Sequence, residues 1–454
     1  MSNRSSGEDL TQGNLYKQII IFSIPLILSN LLQVAFNLAD VIVAGRFAGA
    51  EALGSVGCTT NLVALFTTFL VGVGSAVNVQ VAHGVGMKKE KEVEETMHTA
   101  FVVCLIMGLI ISILAIAFTG IILRAMNTKD ELYRDAVIYM RIYMCGLPAL
   151  ALFNCGNAVY SAVGNTRKPL FFLIISGIAN VLFNLLTVIG FGLGAPGVAI
   201  ASAVSQYLAA ALVVISLMRE KGIIKLDLKK LKPRRARAIA LVRLGLPSGF
   251  QYSIFQIANV FIQRGLNSFD AVTVEGAAVA NNIDILTYEI MAAFYTACCS
   301  FIGQNYGAGN AKRMKKAYLI TTMYACLAAF ISGALIYLFG RQLLHLFTTE
   351  EGVIEAGMMK LSVMAISYWL SAFMDNTSAA SRGLGKTLVP NISIIMGSCV
   401  FRIIWVCTIF EYFHTVQSLY FVYMFSWTIT SIGEIIYFIF IFRKETAKFK
   451  KQLA

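Results

Sequence analysis

Asp40 ends a stripe of polar side chains on an otherwise apolar stretch, FSIPLILSNLLQVAFNLADVIVAGR, from Phe22 to Arg46. At about 100° per helical residue, Ser23, Asn30, Gln33, Asn37 and Asp40 fall within an arc of roughly 100°. The opposite face is Leu, Ile, Val and Phe. About 20 apolar residues suffice to cross a bilayer, so the stretch reads as a membrane span. A carboxylate inside such a span is costly unless it lines water or meets a partner, which makes Asp40 the first candidate for chemistry. That chemistry is reversible capture of a proton or a hard cation. Asn180 and Asn184, one helical turn apart in FFLIISGIANVLFN, and Ser202 in GAPGVAIASAVSQ offer further oxygens. Amide and hydroxyl oxygens beside one carboxylate suit a proton, hydronium or Na+, with Asp40 as the metal ligand if the ion is Na+. The competing reading of Asn180, Asn184 and Ser202 is hydrogen bonding between membrane helices.

A second set lies later in the chain. Gln256, Asn259 and Gln263 share an arc of roughly 60° on one helix. Asp284, Tyr288 and Glu289 follow, then Asp375, Arg402 and Glu434. Together with Gln33 and Asn37, the residues Gln256, Asn259, Asp284, Tyr288, Glu289 and Asp375 are the candidates for lining a substrate cavity. Arg402 has an alternative role, neutralising one of the carboxylates. Asp284 and Glu289 stand about 140° apart around a helix, so they are no catalytic dyad. The nine cysteines form no CxxC pair, and the four histidines form no HExxH-like pair. Buried thiols are the expectation, with neither a zinc site nor a cofactor.

The elements that position these groups follow from composition. Of 454 residues, 57% are hydrophobic and 13% charged, against about 25% charged in soluble domains. Apolar runs of membrane-spanning length recur twelve times, near 19–44, 53–77, 97–122, 134–158, 169–191, 196–218, 243–265, 275–300, 316–340, 358–381, 388–410 and 417–442. The expected fold is therefore an all-α membrane protein with twelve transmembrane helices. Lys and Arg crowd the even-numbered connections and the tail: Lys88, Lys89 and Lys91; Arg167 and Lys168; the run from Arg219 to Arg243; Lys312 to Lys316; Arg382 and Lys386; Arg443 to Lys451. The odd-numbered connections are poor in both. By the positive-inside rule both termini are cytoplasmic and the first span directs insertion into the cell membrane. The net charge of +13 is then a topology signal, with weak contact to anionic lipid and no call for nucleic acid.

The chain also repeats. Pro25 and Pro247 lie 222 residues apart, as do Asn37 and Asn259, while GNTRKP (Gly164 to Pro169) precedes GKTLVP (Gly385 to Pro390) by 221. GVGMKKE near Gly86 matches GAGNAKR near Gly309. Six spans per copy is an even number, so the copies run parallel, as two pseudo-symmetric six-helix lobes. The expected division is 1–218, a basic linker 219–242, and 243–454, with a cavity between the lobes. The counterpart of Asp40 is Ile262, so the second copy lacks the carboxylate.

These residues resemble a known family, the MATE (multidrug and toxic compound extrusion) transporters. The likeness runs nearly the whole chain, through SIP…NLADVIVAGRFAG, GLP at Gly245 to Pro247, QNYGAGNAKR, and the pair YSAVGNTRKP and SRGLGKTLVP. The resemblance implies export of small cationic or amphiphilic organic compounds in exchange for H+ or Na+. It is closest to the branch with a coupling Asp in the first span, matched by Asp40. In that branch Asn180 matches an Asn, Asn184 stands where an Asp is usual, and Ser202 stands for a Thr. One carboxylate fewer favours protons over Na+. The span-ten Asp of another branch aligns nearer Ser371 than Asp375. The implied cycle is alternating access by rocking lobes, with Pro25 as a hinge. It works in a monomer, though oligomeric state is left open. A flippase for lipid-linked precursors is the alternative, disfavoured by the lack of basic residues in the first-lobe interior. An intramembrane enzyme lacks paired catalytic groups.

Overall fold

The computed structural model describes residues 8–126 and 128–453, and these contain helices and connections but no strand. Ten helices are long and apolar enough to cross a membrane. An eleventh span is the pair Asp130–Met144 and Leu147–Ala162, bent by 42°. The bend falls where Pro148 opens the second piece, a position at which its missing N–H breaks no helical bond. The twelfth is Arg235–Leu266, 32 residues long with Pro247 inside it. Its basic start and its glutamines make it the least apolar of the twelve. The twelve spans expected from the apolar runs are thus all helical.

The chain packs as two compact units. One holds residues 28–253; the other holds residues 10–27 and 254–454. The first span (Leu15–Val43) and the seventh (Arg235–Leu266) each contribute to both units, and each carries its interior proline before the change of unit, Pro25 before Leu28 and Pro247 before Ile254.

In the unit 28–253, span two (Ala50–Gly86), span three (Glu90–Ala125) and the bent fourth span pack around Met97, Met140, Met144, Leu147 and Val159, all essentially unexposed. The basic linker is seated on span three. The Asp227 N–H donates to His98 Nε2 (3.0 Å), the Arg234 N–H to Thr99 Oγ1 (3.1 Å), and Lys230 and Arg237 pair with Glu94 (2.9 Å) and Glu92 (2.8 Å). Since His98 Nε2 accepts, its proton sits on Nδ1, which donates to the Glu94 carbonyl at 2.7 Å. Lys230 and Arg237 of the linker are therefore matched by glutamates near the start of span three, where those acids also oppose the macrodipole.

In the other unit the chain before span one is held by QNYGAGNAKR. Arg313 donates to the carbonyls of Leu10 (3.0 Å), Gln12 (2.6 Å) and Gly13 (2.7 Å), and to Gln18 Oε1 (2.7 Å). Gln304 and Asn305 hold the N–H and carbonyl of Leu10, both at 3.1 Å. One guanidinium fork thus satisfies three backbone carbonyls that no helix could reach.

The internal repeat is visible in hydrogen bonds. Spans two and eight close alike, Lys89 N–H to Gly84 carbonyl (3.1 Å) and Asn310 N–H to Asn305 carbonyl (2.8 Å). Spans four and ten do the same, Asn165 to Tyr160 (2.9 Å) and Lys386 to Ser381 (3.0 Å). This helix ending requires a left-handed residue. Gly164 (φ 83°), Gly309 (φ 68°) and Gly385 (φ 74°) supply it, but the first copy has Lys88 at φ 57°. Left-handed backbone costs an L-residue roughly 1–2 kcal/mol. Lys88→Gly is therefore expected to stabilise the protein by about 0.5–1 kcal/mol and Gly309→Ala to destabilise it by about 1 kcal/mol. Thermal unfolding in detergent checks both; equal midpoints for the two variants would contradict this account.

Candidate functional site

Asp40 sits half-buried near the end of span one, where the helix widens into a π-helical turn, Ala44–Ala48. Span five (Arg167–Asn184) widens likewise just after Asn184, over Leu185–Gly190. Such turns displace the helix face by one residue and are frequent at functional sites. Here two of them flank the same cluster.

Asn184, fully buried, donates from Nδ2 to Asp40 Oδ1, and also to Asn180 Oδ1 at 3.3 Å. Ser202, on span six (Gly194–Arg219), donates to the other carboxylate oxygen, Oδ2, at 2.9 Å. The four residues singled out for ion capture, Asp40, Asn180, Asn184 and Ser202, thus meet in one cluster within one unit. Among the described residues, the side chains that donate to the carboxylate, Asn184 and Ser202, are both neutral. Asn184 Oδ1 is buried without a donor. A buried amide oxygen without a partner is costly, and a proton-bearing or cationic guest would satisfy it. The oxygens of Asp40, Asn180, Asn184 and Ser202 are the right donors for Na+ as well as for a proton.

Two tyrosines of span four, Tyr139 and Tyr143, lie within electrostatic range of Asp40 and stack on each other at 6.1 Å. Sequence reading overlooked them, although their spacing of four in IYMRIYM puts them on one helix face. Gly177 was overlooked too. A Cβ built there would fall 1.8 Å from the Phe36 ring. Phe36 is one turn before Asp40 and Gly177 is about one turn before Asn180, so this missing side chain lets span one approach span five.

The other candidates are placed differently. Gln33 and Asn37 are exposed on span one, two turns and one turn before Asp40 respectively. In the second unit Gln256 is half-buried, and Asn259 accepts a hydrogen bond from Arg402 at 3.3 Å. Asp284, on span eight (Ala271–Gly307), accepts from the Tyr368 hydroxyl and feels the buried Lys360 ammonium, which itself donates to Asn281. Tyr288 is exposed with its ring 6.5 Å from that of Tyr295, and Glu289 is half-buried. Asp375 accepts from Ser371 at 3.1 Å and lies in the field of Arg382 and Arg402. Asn259, Asp284 and Asp375 therefore each have a polar partner within their own unit.

Gly177→Val should separate spans one and five and break the Asp40–Asn184 bond, lowering any ion-driven activity by about tenfold or more. Adding Phe36→Ala should recover part of the loss, because the two changes share one contact. An unaffected single variant would remove the packing argument.

The MatE family model matches residues 25–186 and again 247–408, one copy per repeat. A probable multidrug resistance protein of Bacillus subtilis, YpnP, is 28% identical over 363 residues, 79% of this chain and 80% of the relative. Among solved structures, a MOP-superfamily transporter from Pyrococcus furiosus superposes with a TM-score of 0.90 at 22% identity, covering 99% of this chain and 100% of the other. An outward-facing multidrug resistance MATE transporter superposes at 0.88 with the same identity and coverage. With both copies of the repeat matched over most of its length, the chain belongs to the MatE family.

Proposed function

We propose that this protein is a secondary active antiporter of the cell membrane that exports cationic or amphiphilic organic compounds in exchange for H+ or Na+, with both termini cytoplasmic. The observation that carries the reading is Asp40, a lone carboxylate in a membrane span whose hydrogen-bond donors, Asn184 and Ser202, are both neutral. A charge so placed is tolerated only when it is neutralised or solvated during part of a cycle. Relatives carrying multidrug resistance names support the substrate class. The absence of a basic residue from the Asp40 cluster speaks against holding a lipid pyrophosphate there.

In the proposed cycle a proton or Na+ entering from outside neutralises Asp40. The neutral carboxyl no longer repels a drier environment, so spans one, five and six repack around it. Pro25 leaves a carbonyl one turn earlier without its helical donor, which makes that part of span one the pliable point. Repacking lowers affinity for the organic compound, which leaves outward. One charge crossing about 100 mV supplies about 2.3 kcal/mol, equivalent to roughly 50-fold in concentration.

The test is dye efflux from proteoliposomes with pH and Na+ gradients imposed separately. Asp40→Asn should abolish gradient-driven efflux while dye binding persists. Ser202→Ala, which removes one donor, should weaken efflux about tenfold or less. Undiminished efflux in Asp40→Asn would sink the coupling role, and the gradient that drives the wild type identifies the ion.

A further inference from the structure

Glu434 stands in span twelve (Val416–Phe449) and is fully buried. One face of this helix meets span eleven (Leu388–Phe413) once per turn. Ser426 accepts from Arg402 Nε (3.2 Å), and Thr430 pairs with Ser398 through their hydroxyls (3.0 Å). A Cβ built on Gly397 would fall 2.4 Å from Thr430 Oγ1, so the two helices touch here without a side chain between them. Glu434 is next on the same face. Across from it the π-helical turn Ile395–Val400 shifts span eleven by one residue. The step from Ser398 is therefore five residues, to the half-buried Ser393. Its Oγ lies 3.2 Å from where a Cβ on Gly433, the neighbour of Glu434, would stand.

Ser426 and Thr430 are thus fastened to span eleven, but Glu434 is not. Among the described residues neither of its carboxylate oxygens makes a hydrogen bond of normal geometry. The charged neighbours on span ten (Glu351–Gly383) are engaged elsewhere: Arg382 Nη1 donates to Ser378 (3.2 Å), and Asp375 accepts from Ser371 (3.1 Å). Tyr437 lies near it on its own helix. A carboxyl without hydrogen bonds adds nothing to helix packing that an alkyl side chain would not, and its charged form is costly away from water. A proton removes that cost. One carboxyl and one hydroxyl are too few oxygens to replace the shell of a hard cation.

We propose that Glu434 is a proton-carrying carboxyl of the second unit, so that each cycle moves a proton there in addition to the ion at Asp40. On uptake an O–H bond forms between one carboxylate oxygen and a proton from water. On release the same bond breaks and the proton returns to water on the other side. The inference rests on the antiport reading but is tested at a residue outside the Asp40 cluster.

The experiment uses proteoliposomes held at zero membrane potential, with Na+ equal on both sides and a fluorescent cationic dye. It reads the dye ratio at which net flux stops under a pH gradient of about one unit, where each coupled proton contributes about tenfold. Glu434→Gln should settle at a ratio about tenfold lower than wild type; an unchanged ratio overturns the proposal. A hydrophobic carbodiimide, which attacks protonated carboxyls in apolar surroundings, gives a second reading on the wild type in detergent and needs no variant to fold. Its label on Glu434 should increase as the pH falls from about 9 to about 5, the range open to a buried glutamate. Label that is absent or constant over that range overturns the proposal as well. Undiminished efflux in Asp40→Asn would sink the coupling role of Asp40 while leaving both Glu434 readings to stand, so the two failures are distinguishable.

Discussion

The cost of holding the Asp40 carboxylate in a membrane span organises the first unit. Water is the cheapest partner for such a charge and a basic residue the next, and the cluster contains no basic residue. What remains is hydrogen bonding by neutral groups: Asn184 on one oxygen and Ser202 on the other. To deliver them, spans one and five must come close, which Gly177 permits by offering no side chain to Phe36. The π-helical turns after Asp40 and after Asn184 adjust which residues face inward. Neutral donors hold the carboxylate less firmly than an ion pair would, which is what the proposed coupling role of Asp40 requires.

The two halves of the chain reuse one backbone plan with different charges in it. The shared parts are structural: helix endings with left-handed residues at 88, 164, 309 and 385, and prolines inside the first helix of each copy. The unshared parts are electrostatic. Asp40 gives way to Ile262. Outside the membrane, each unit anchors its own incoming segment, through Arg313 on the carbonyls of residues 10, 12 and 13 and through Glu92 and Glu94 on the linker. The change of unit within spans one and seven then falls close to their prolines.

Twelve helices, their repeat and the first-lobe cluster were legible in the amino-acid order because each rests on a local or periodic signal. Bilayer thickness sets the length of an apolar run, the repeat shows as a constant offset, and an acid in an apolar run is conspicuous wherever it packs. Asn180, Asn184 and Ser202 were picked out as oxygen donors on neighbouring spans, and the structure brings them to Asp40. What the amino-acid order could not decide depends on which faces meet. Tyr139 and Tyr143 are ordinary span-four aromatics until packing puts them in range of the carboxylate. Gly177 is one of 36 glycines until the Phe36 ring occupies the space its side chain would need. Arg402 lies far along the chain from Phe255, and only tertiary structure leaves it among Phe255, Tyr423 and Trp427. Periodicity tells which residues share a helix face; the partner that face receives is fixed by packing between helices distant in the chain.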